Sequence, residues 1–177
     1  MSGIFAGYGS VNVVVRHAQP ADERAIFDLF ISAHAPGLGR FFPYSLPKVE
    51  AAIQNATRRR GSIIGVIDAP DRPGLIAAAI YLVPEAWWWS EAYYLQARLT
   101  IVRQTYRKRT GYAEALLRFA EEMRKSLNDY RPEGSPPLVL ELSYVQEDPR
   151  KVRLFDRWFS RWGRKVGGVY LSGLDLG

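Results

Sequence analysis

The stretch TIVRQTYRKRTGYAEALL, residues 100–117, decides how this chain folds. Its first three residues close a β-branched run, which reads as the end of a strand. Arg103, Arg107, Lys108 and Arg109 then make a basic loop, and a helical pattern begins near Thr110 and Gly111, with Ala113, Leu116, Leu117, Ala120 and Leu127 on one face. A strand that passes through a basic loop into a helix presents backbone N–H groups without acceptors and the positive end of a helix dipole. Both suit a pyrophosphate. Gly111 and Ala113 are small where backbone must approach a ligand, and the flanking cations add charge-assisted contacts. The plain alternative is a solvated basic loop capping an ordinary helix, and a motif this short does not separate the two by itself.

Outward from this junction the chain reads as one domain over 1–177, with no internal repeat and no linker. Residues 11–15 are β-branched and predict a strand; Asp22 opens a helix carrying Ile26, Leu29, Phe30 and Ala33. Residues 34–44 hold glycines and prolines and predict a loop. Ser45 can cap a second helix with Pro47 in its first turn, running towards Arg60. Strands are expected over 62–67, 75–83 and 93–102, the long helix follows, and prolines at 132–137 break the chain. A buried strand over 138–144, a helix from Pro149 bearing Phe155, Trp158, Phe159 and Trp162, and a last strand near 169–171 complete it. The order β-α-α-β-β-β-α-β-α-β implies an α/β fold with a mixed sheet. A doubly wound nucleotide fold would alternate strand and helix from the start.

Composition narrows the chemistry. No cysteine is present among the 177 residues, so disulfides, thiolate nucleophiles and cysteine-ligated metals are excluded. Two histidines leave little for a metal site, and none is expected. A cysteine-free chain fits a reducing cytoplasm. The longest apolar run, 75–83, is far short of the roughly 20 residues that span a bilayer, and residues 1–9 lack the pattern of a signal peptide. The net charge of +6 and a pI near 9.7 point to an anionic partner.

Tyr106-Arg107 followed by Lys108-Arg109-Thr110-Gly111-Tyr112-Ala113 resembles the coenzyme A loop of the GNAT acetyltransferases, and Ala115-Leu116-Leu117 resembles the small-leucine-leucine helix start of that superfamily. Upstream, Val15-Arg16-His17-Ala18-Gln19-Pro20-Ala21-Asp22 is similar to its opening strand and helix. Downstream, Lys151-Val152-Arg153-Leu154-Phe155, Gly163 and Val169-Tyr170 are similar to its closing ones. The matches stand in the family's order and cover most of the chain. The resemblance implies a GNAT-like, mostly antiparallel mixed sheet flanked by helices, with acetyl-CoA as acyl donor and no metal. Its cofactor-binding residues would be Thr100, Val102, Arg107, Lys108, Arg109, Thr110, Gly111, Tyr112 and Ala113. Three departures stand out: Lys108 replaces an Arg or Gln, the stretch from Val102 to Gly111 is one residue longer, and Phe155 stands where many members carry a proton-donating tyrosine.

The implied reaction is direct transfer of acetyl to an amine, on a small molecule or a peptide, with a base in reach of the attacking nitrogen. Glu141, on the strand expected to flank the cofactor, is the first candidate; its alternation with Leu140 and Leu142 also suits an ordinary exposed face. Glu85 and Glu91 are weaker candidates. Tyr144 could supply the proton that Phe155 cannot, and core packing would explain it equally well. Trp87-Trp88-Trp89, with Tyr93-Tyr94 shortly after, stand out, and the three tryptophans cannot all share one face of a strand. They read as an aromatic wall for a cationic or aromatic acceptor, or as a contact between two copies of the chain. His34 is expected near the same entrance. The rival reading is a GNAT-shaped binding protein with weak or lost catalysis, gripping a protein or nucleic acid through its basic face. The tryptophans and the arginine cluster lie in separate segments, which argues against a nucleic-acid stacking platform.

Overall fold

A computed structural model describes residues 13–34, 45–87, 90–107, 111–142 and 149–161. Five strands, β1 (Arg16–His17), β2 (Ile63–Asp68), β3 (Ile76–Ala86), β4 (Tyr93–Val102) and β5 (Val139–Leu142), form one sheet in the order of the chain. β1 to β4 are antiparallel neighbours, and β4 and β5 run parallel. A parallel pair needs a crossover, and α3 (Tyr112–Asp129) supplies it. The other helices are α1 (Glu23–His34), α2 (Leu46–Thr57) and α4 (Pro149–Phe159).

Two apolar layers sandwich the sheet. Leu116, Leu117, Phe119 and Ala120 of α3 pack with Ile80, Leu82, Leu95 and Ala97. Ile26, Leu29 and Phe30 of α1 and Ile53 of α2 pack with Ile64, Val66, Ala79 and Ile101 on the opposite side. Being covered on both sides explains why β3 opens with five consecutive buried residues instead of an alternation. Gly65 lets α3 come close. A Cβ built there would stand 2.5 Å from a ring carbon of Phe119, whose ring also meets His17 edge-on at 5.2 Å.

Register in β4 is broken once. Tyr81 pairs with Leu99 but Leu82 with Ala97, so Arg98 is the extra residue of a β-bulge. Its effect is on facing: Leu95 and Ala97 belong to the layer under α3, whereas Leu99 and Ile101, of the same parity, belong to the layer under α1 and α2. One inserted residue turns the second half of the strand over.

Several boundaries differ from expectation. The first strand is Arg16–His17, and of the expected 11–15 the described residues 13–15 are not in it: Val13 and Val15 are partly buried against the α3 layer, and the β1–β2 ladder stops where β2 reaches its irregularity at Ile67–Asp68. Asp22 does not begin α1 but ends a 3-10 turn, Pro20–Asp22. Its carboxylate accepts the Gln19 N–H at 2.7 Å and both terminal nitrogens of Arg16 at 2.7 and 2.9 Å, which holds it well below the usual carboxylate range. α2 stops at Thr57 in a reversal in which Arg60 N–H reaches Asn55 O and Arg59 N–H reaches Ala56 O, with Arg59 at φ 56°. β3 runs on to Ala86, and β5 begins at Val139 rather than at Leu138, its described part ending at Leu142. The α1 helix takes in His34, which was expected to open the loop. The expected final strand lies outside the described residues.

Candidate active site

Because β4 carries its apolar Leu95 and Ala97 towards α3, Tyr94 and Gln96 between them must face the other way. There they meet charged groups from both neighbouring strands. Gln96 Nε2 donates to Glu141 Oε1 at 3.0 Å, and Gln96 Oε1 accepts from Arg98 Nε at 2.9 Å. Arg98 continues the chain to the Glu85 carboxylate on β3. The parallel register sets Glu141 directly beside Gln96, and the antiparallel one sets Glu85 beside Tyr94. The Trp87 ring packs on Tyr94 with centroids 4.6 Å apart. Desolvation first, then the carboxylates of Glu141 and Glu85, push the Tyr94 hydroxyl above its ordinary pKa. Glu141 is half-buried, with one oxygen held by Gln96.

The second feature is the far end of β4. β5 pairs with residues 94–97, and beyond the bulge residues 99–102 are laddered to β3 alone among the described residues. Thr100 is exposed there and Val102 half-buried. Arg107 Nε donates to the Val102 carbonyl at 3.0 Å, tying the basic loop to the strand end. Gly111 is the N-cap of α3 at φ 103°, a backbone state that favours glycine, and no side chain caps the helix. The Ala115 N–H reaches Gly111 O at 2.8 Å, so the N–H groups of Tyr112, Ala113 and Glu114 precede the helical ladder. A Cβ at Gly111 would find only Val13 Cγ2, at 4.0 Å, so the space before the helix is roomy. The Tyr112 ring is buried against Tyr106, whose hydroxyl donates to Asp71 at 2.5 Å. What Tyr112 offers a ligand is its backbone.

The structure thus brings Glu141 and Glu85 to one face, and Thr100, Val102, Arg107, Gly111, Tyr112 and Ala113 to the β4–α3 junction. Glu91 is exposed in the hairpin, away from the network. Lys108, Arg109, Thr110, Tyr144, Trp88 and Trp89 lie outside the described residues, as do the side chains of His34, Phe155 and Trp158. Sequence reading picked out Tyr94 beside the tryptophans but missed Gln96 and Arg98. A cavity of about 230 Å³ lies by β1 and β2 and reaches the start of α3, between Val13, Arg16, Asp68 and Tyr112. Its one cation is already spoken for, since Arg16 is bonded to Asp22 and Asp68. Among the described residues no helix is long and apolar enough to cross a membrane, and no three His, Asp or Glu side chains could share a metal.

Comparison by sequence finds no family model and no curated protein that matches the chain. Comparison by structure does find relatives. The NAA60 protein of Arabidopsis thaliana, solved with a bisubstrate analogue, aligns at a TM-score of 0.60 with 16% identity, over 82% of this chain and 82% of its own. A ribosomal-protein-alanine N-acetyltransferase from Brucella melitensis aligns at 0.58 with 16% identity, over 92% and 99%. A glucosamine-6-phosphate N-acetyltransferase from Arabidopsis thaliana aligns at 0.56 with 16% identity, over 91% and 97%. These are acetyltransferase folds, and the mixed five-stranded sheet between two helical layers is of the same kind. The chain has the GNAT fold, as its sequence resemblance implied.

Proposed function

We propose that this protein is an N-acetyltransferase that passes an acetyl group from acetyl-coenzyme A to an amine by direct attack, in the cytoplasm. The observation that carries the reading is the β4–α3 junction. A strand edge that has no second partner among the described residues beyond the bulge at Arg98 leads to a helix whose first N–H groups have no acceptor in the helix. An extended pantetheine can bond to such an edge, and a pyrophosphate to such a helix start. Arg107, and with it Lys108, Arg109 and Thr110, would add charge and hydrogen bonds to the phosphates. Thr100 and Val102 would hold the pantetheine, and towards the bulge a backbone N–H of β4 can polarise the thioester carbonyl.

Glu141 would act as base, taking a proton from the acceptor ammonium directly or through one water. Its free oxygen faces the side of the sheet away from α3, and Gln96 fixes the other. As the nitrogen bonds to the carbonyl carbon, the carbon–sulfur bond breaks and the thiolate leaves. A thiol has a pKa near 8.5, so the thiolate is tolerable at neutral pH. Tyr144 or solvent would return its proton, since Phe155 cannot.

Two measurements test this. Acetyl-coenzyme A should bind and raise the melting temperature, adenosine diphosphate less so, and thiol release should follow once an acceptor is added. Calorimetry showing no binding at millimolar acetyl-coenzyme A removes the reading and leaves a GNAT-shaped binding protein. Gly111→Glu should abolish binding by placing an anion at the pyrophosphate. At φ 103° any side chain strains the backbone, so Gly111→Ala is the control that carries the strain without the charge.

A further inference from the structure

The face of the sheet that carries Glu141 changes character along its length. Under α1 and α2 it is apolar as far as Tyr81 and Leu99. Beyond them, towards the β3–β4 hairpin, it presents Glu85, Trp87, Tyr94, Gln96, Arg98 and Glu141. In a chain of net charge +6 this patch is not basic. Arg98 is consumed within it, one arm on Glu85 and Nε on Gln96, so the pair Glu85–Arg98 is neutral, and among the described residues Glu141 has no cation of its own. Trp87 keeps 38% of its surface in solvent while its ring packs on Tyr94.

Spacing gives this face two ends. Tyr94 and Gln96 are two residues apart on β4, about 7 Å, with Glu85 and Glu141 on the strands to either side, so the two carboxylates start from backbones about 12 Å apart. Both lie near enough to the Tyr94 hydroxyl to disfavour its ionisation. An aromatic pair beside a carboxylate attracts a cation and offers nothing to an anion, which would meet two acids and the negative faces of two rings.

We infer that the acceptor is a primary alkylamine carrying a second positive charge, its reacting nitrogen at Glu141 and its other cation at the Trp87–Tyr94 pair beside Glu85. The assignment of the reacting end rests on the transferase reading; the preference for a second cation does not. A free diamine and a lysine-rich peptide share this chemistry.

Three six-carbon amines isolate the second charge: 1,6-hexanediamine, hexylamine and 6-aminohexanoate. Each is titrated calorimetrically, with and without coenzyme A, and an acetyl-Lys-Lys-amide peptide is run beside them to separate the two sources. The diamine should bind about tenfold tighter than hexylamine, as a partly desolvated cation–π contact provides, and 6-aminohexanoate weakest. Trp87→Leu should bring the diamine down to hexylamine, leaving hexylamine itself little changed. Glu85→Gln should do so too, because it frees the Arg98 charge beside the tail. A diamine that binds no tighter than hexylamine, or a preference that survives both substitutions, overturns the inference. Thiol release with acetyl-coenzyme A is read separately. A diamine preference in binding without thiol release upholds this inference and removes the transferase reading. Thiol release that favours 6-aminohexanoate does the reverse.

Discussion

The two faces of the sheet at its β3–β4–β5 end are made from alternate residues of the same strands, and they are built in opposite ways. Towards α3, Ile80, Leu82, Leu95 and Ala97 are all buried against Leu116, Leu117 and Phe119. Away from α3, Glu85, Gln96, Arg98 and Glu141 bond sideways to one another across three strands, with Tyr94 among them. One face contributes stability through area removed from water. The other fixes polar groups in place and leaves a carboxylate oxygen to meet a ligand. On the proposed reading, β4 separates folding from chemistry within a single strand, residue by residue. Substitutions on the two faces should therefore fail in different assays.

The largest effect is expected on the polar face. Glu141→Gln should lower thiol release 10²–10⁴-fold, the range for a general base. Its unfolding free energy should stay within about 0.5 kcal/mol of the parent, since the new amide still offers an oxygen to Gln96. Loss of stability with activity retained would reverse the assignment of the two faces. Gly65→Ala probes the closed face. Its methyl would enter the Phe119 ring, and the expected cost is about 1–3 kcal/mol in urea denaturation, as for overpacked cores. Coenzyme A binding to the folded fraction should be unchanged. An unaltered midpoint would mean that α3 yields easily and that this face is not tightly packed.

The smallest effect is in pH. His17, at the rim of the closed face, is held below its ordinary pKa by burial first and by the Arg59 charge second. The unfolded chain then binds a proton more readily than the folded one. Stability from this group is full above pH 6.5 and is lost as the pH falls through the lower, folded value. Urea midpoints taken from pH 8 down to pH 5 should decline over that window in the parent and not in His17→Gln. A decline of equal size in His17→Gln would place its source elsewhere. Asp22, also held low, acts only below its own ordinary value of 3.8.

Much of this was legible beforehand because periodicity reports burial. β4 over Tyr93–Val102 and α3 with its Leu116–Leu117 face were read correctly, since their patterns are long and strongly periodic. The opening strand was misjudged because Val11 to Val15 have strand composition, whereas pairing depends on where β2 keeps its register. Within the candidate site, Glu141 could be picked out as a carboxylate on a strand. Its partners could not, because Gln96 and Arg98 are ordinary polar residues until β5 and β3 are laid beside them.

By itself, then, the sequence determined the order of elements, the glycine-started helix after a basic loop, and the absence of any cysteine chemistry. Each follows from local preferences: which residues form strands, which cap helices, which can ionise. Only the tertiary structure decided that Arg98 is a bulge, that the strand turns over there, and that Glu85, Trp87, Tyr94 and Glu141 share one face. Those facts depend on register between strands up to 45 residues apart in the chain. A single inserted residue reverses every side chain beyond it, and nothing in the local pattern of β4 announces it.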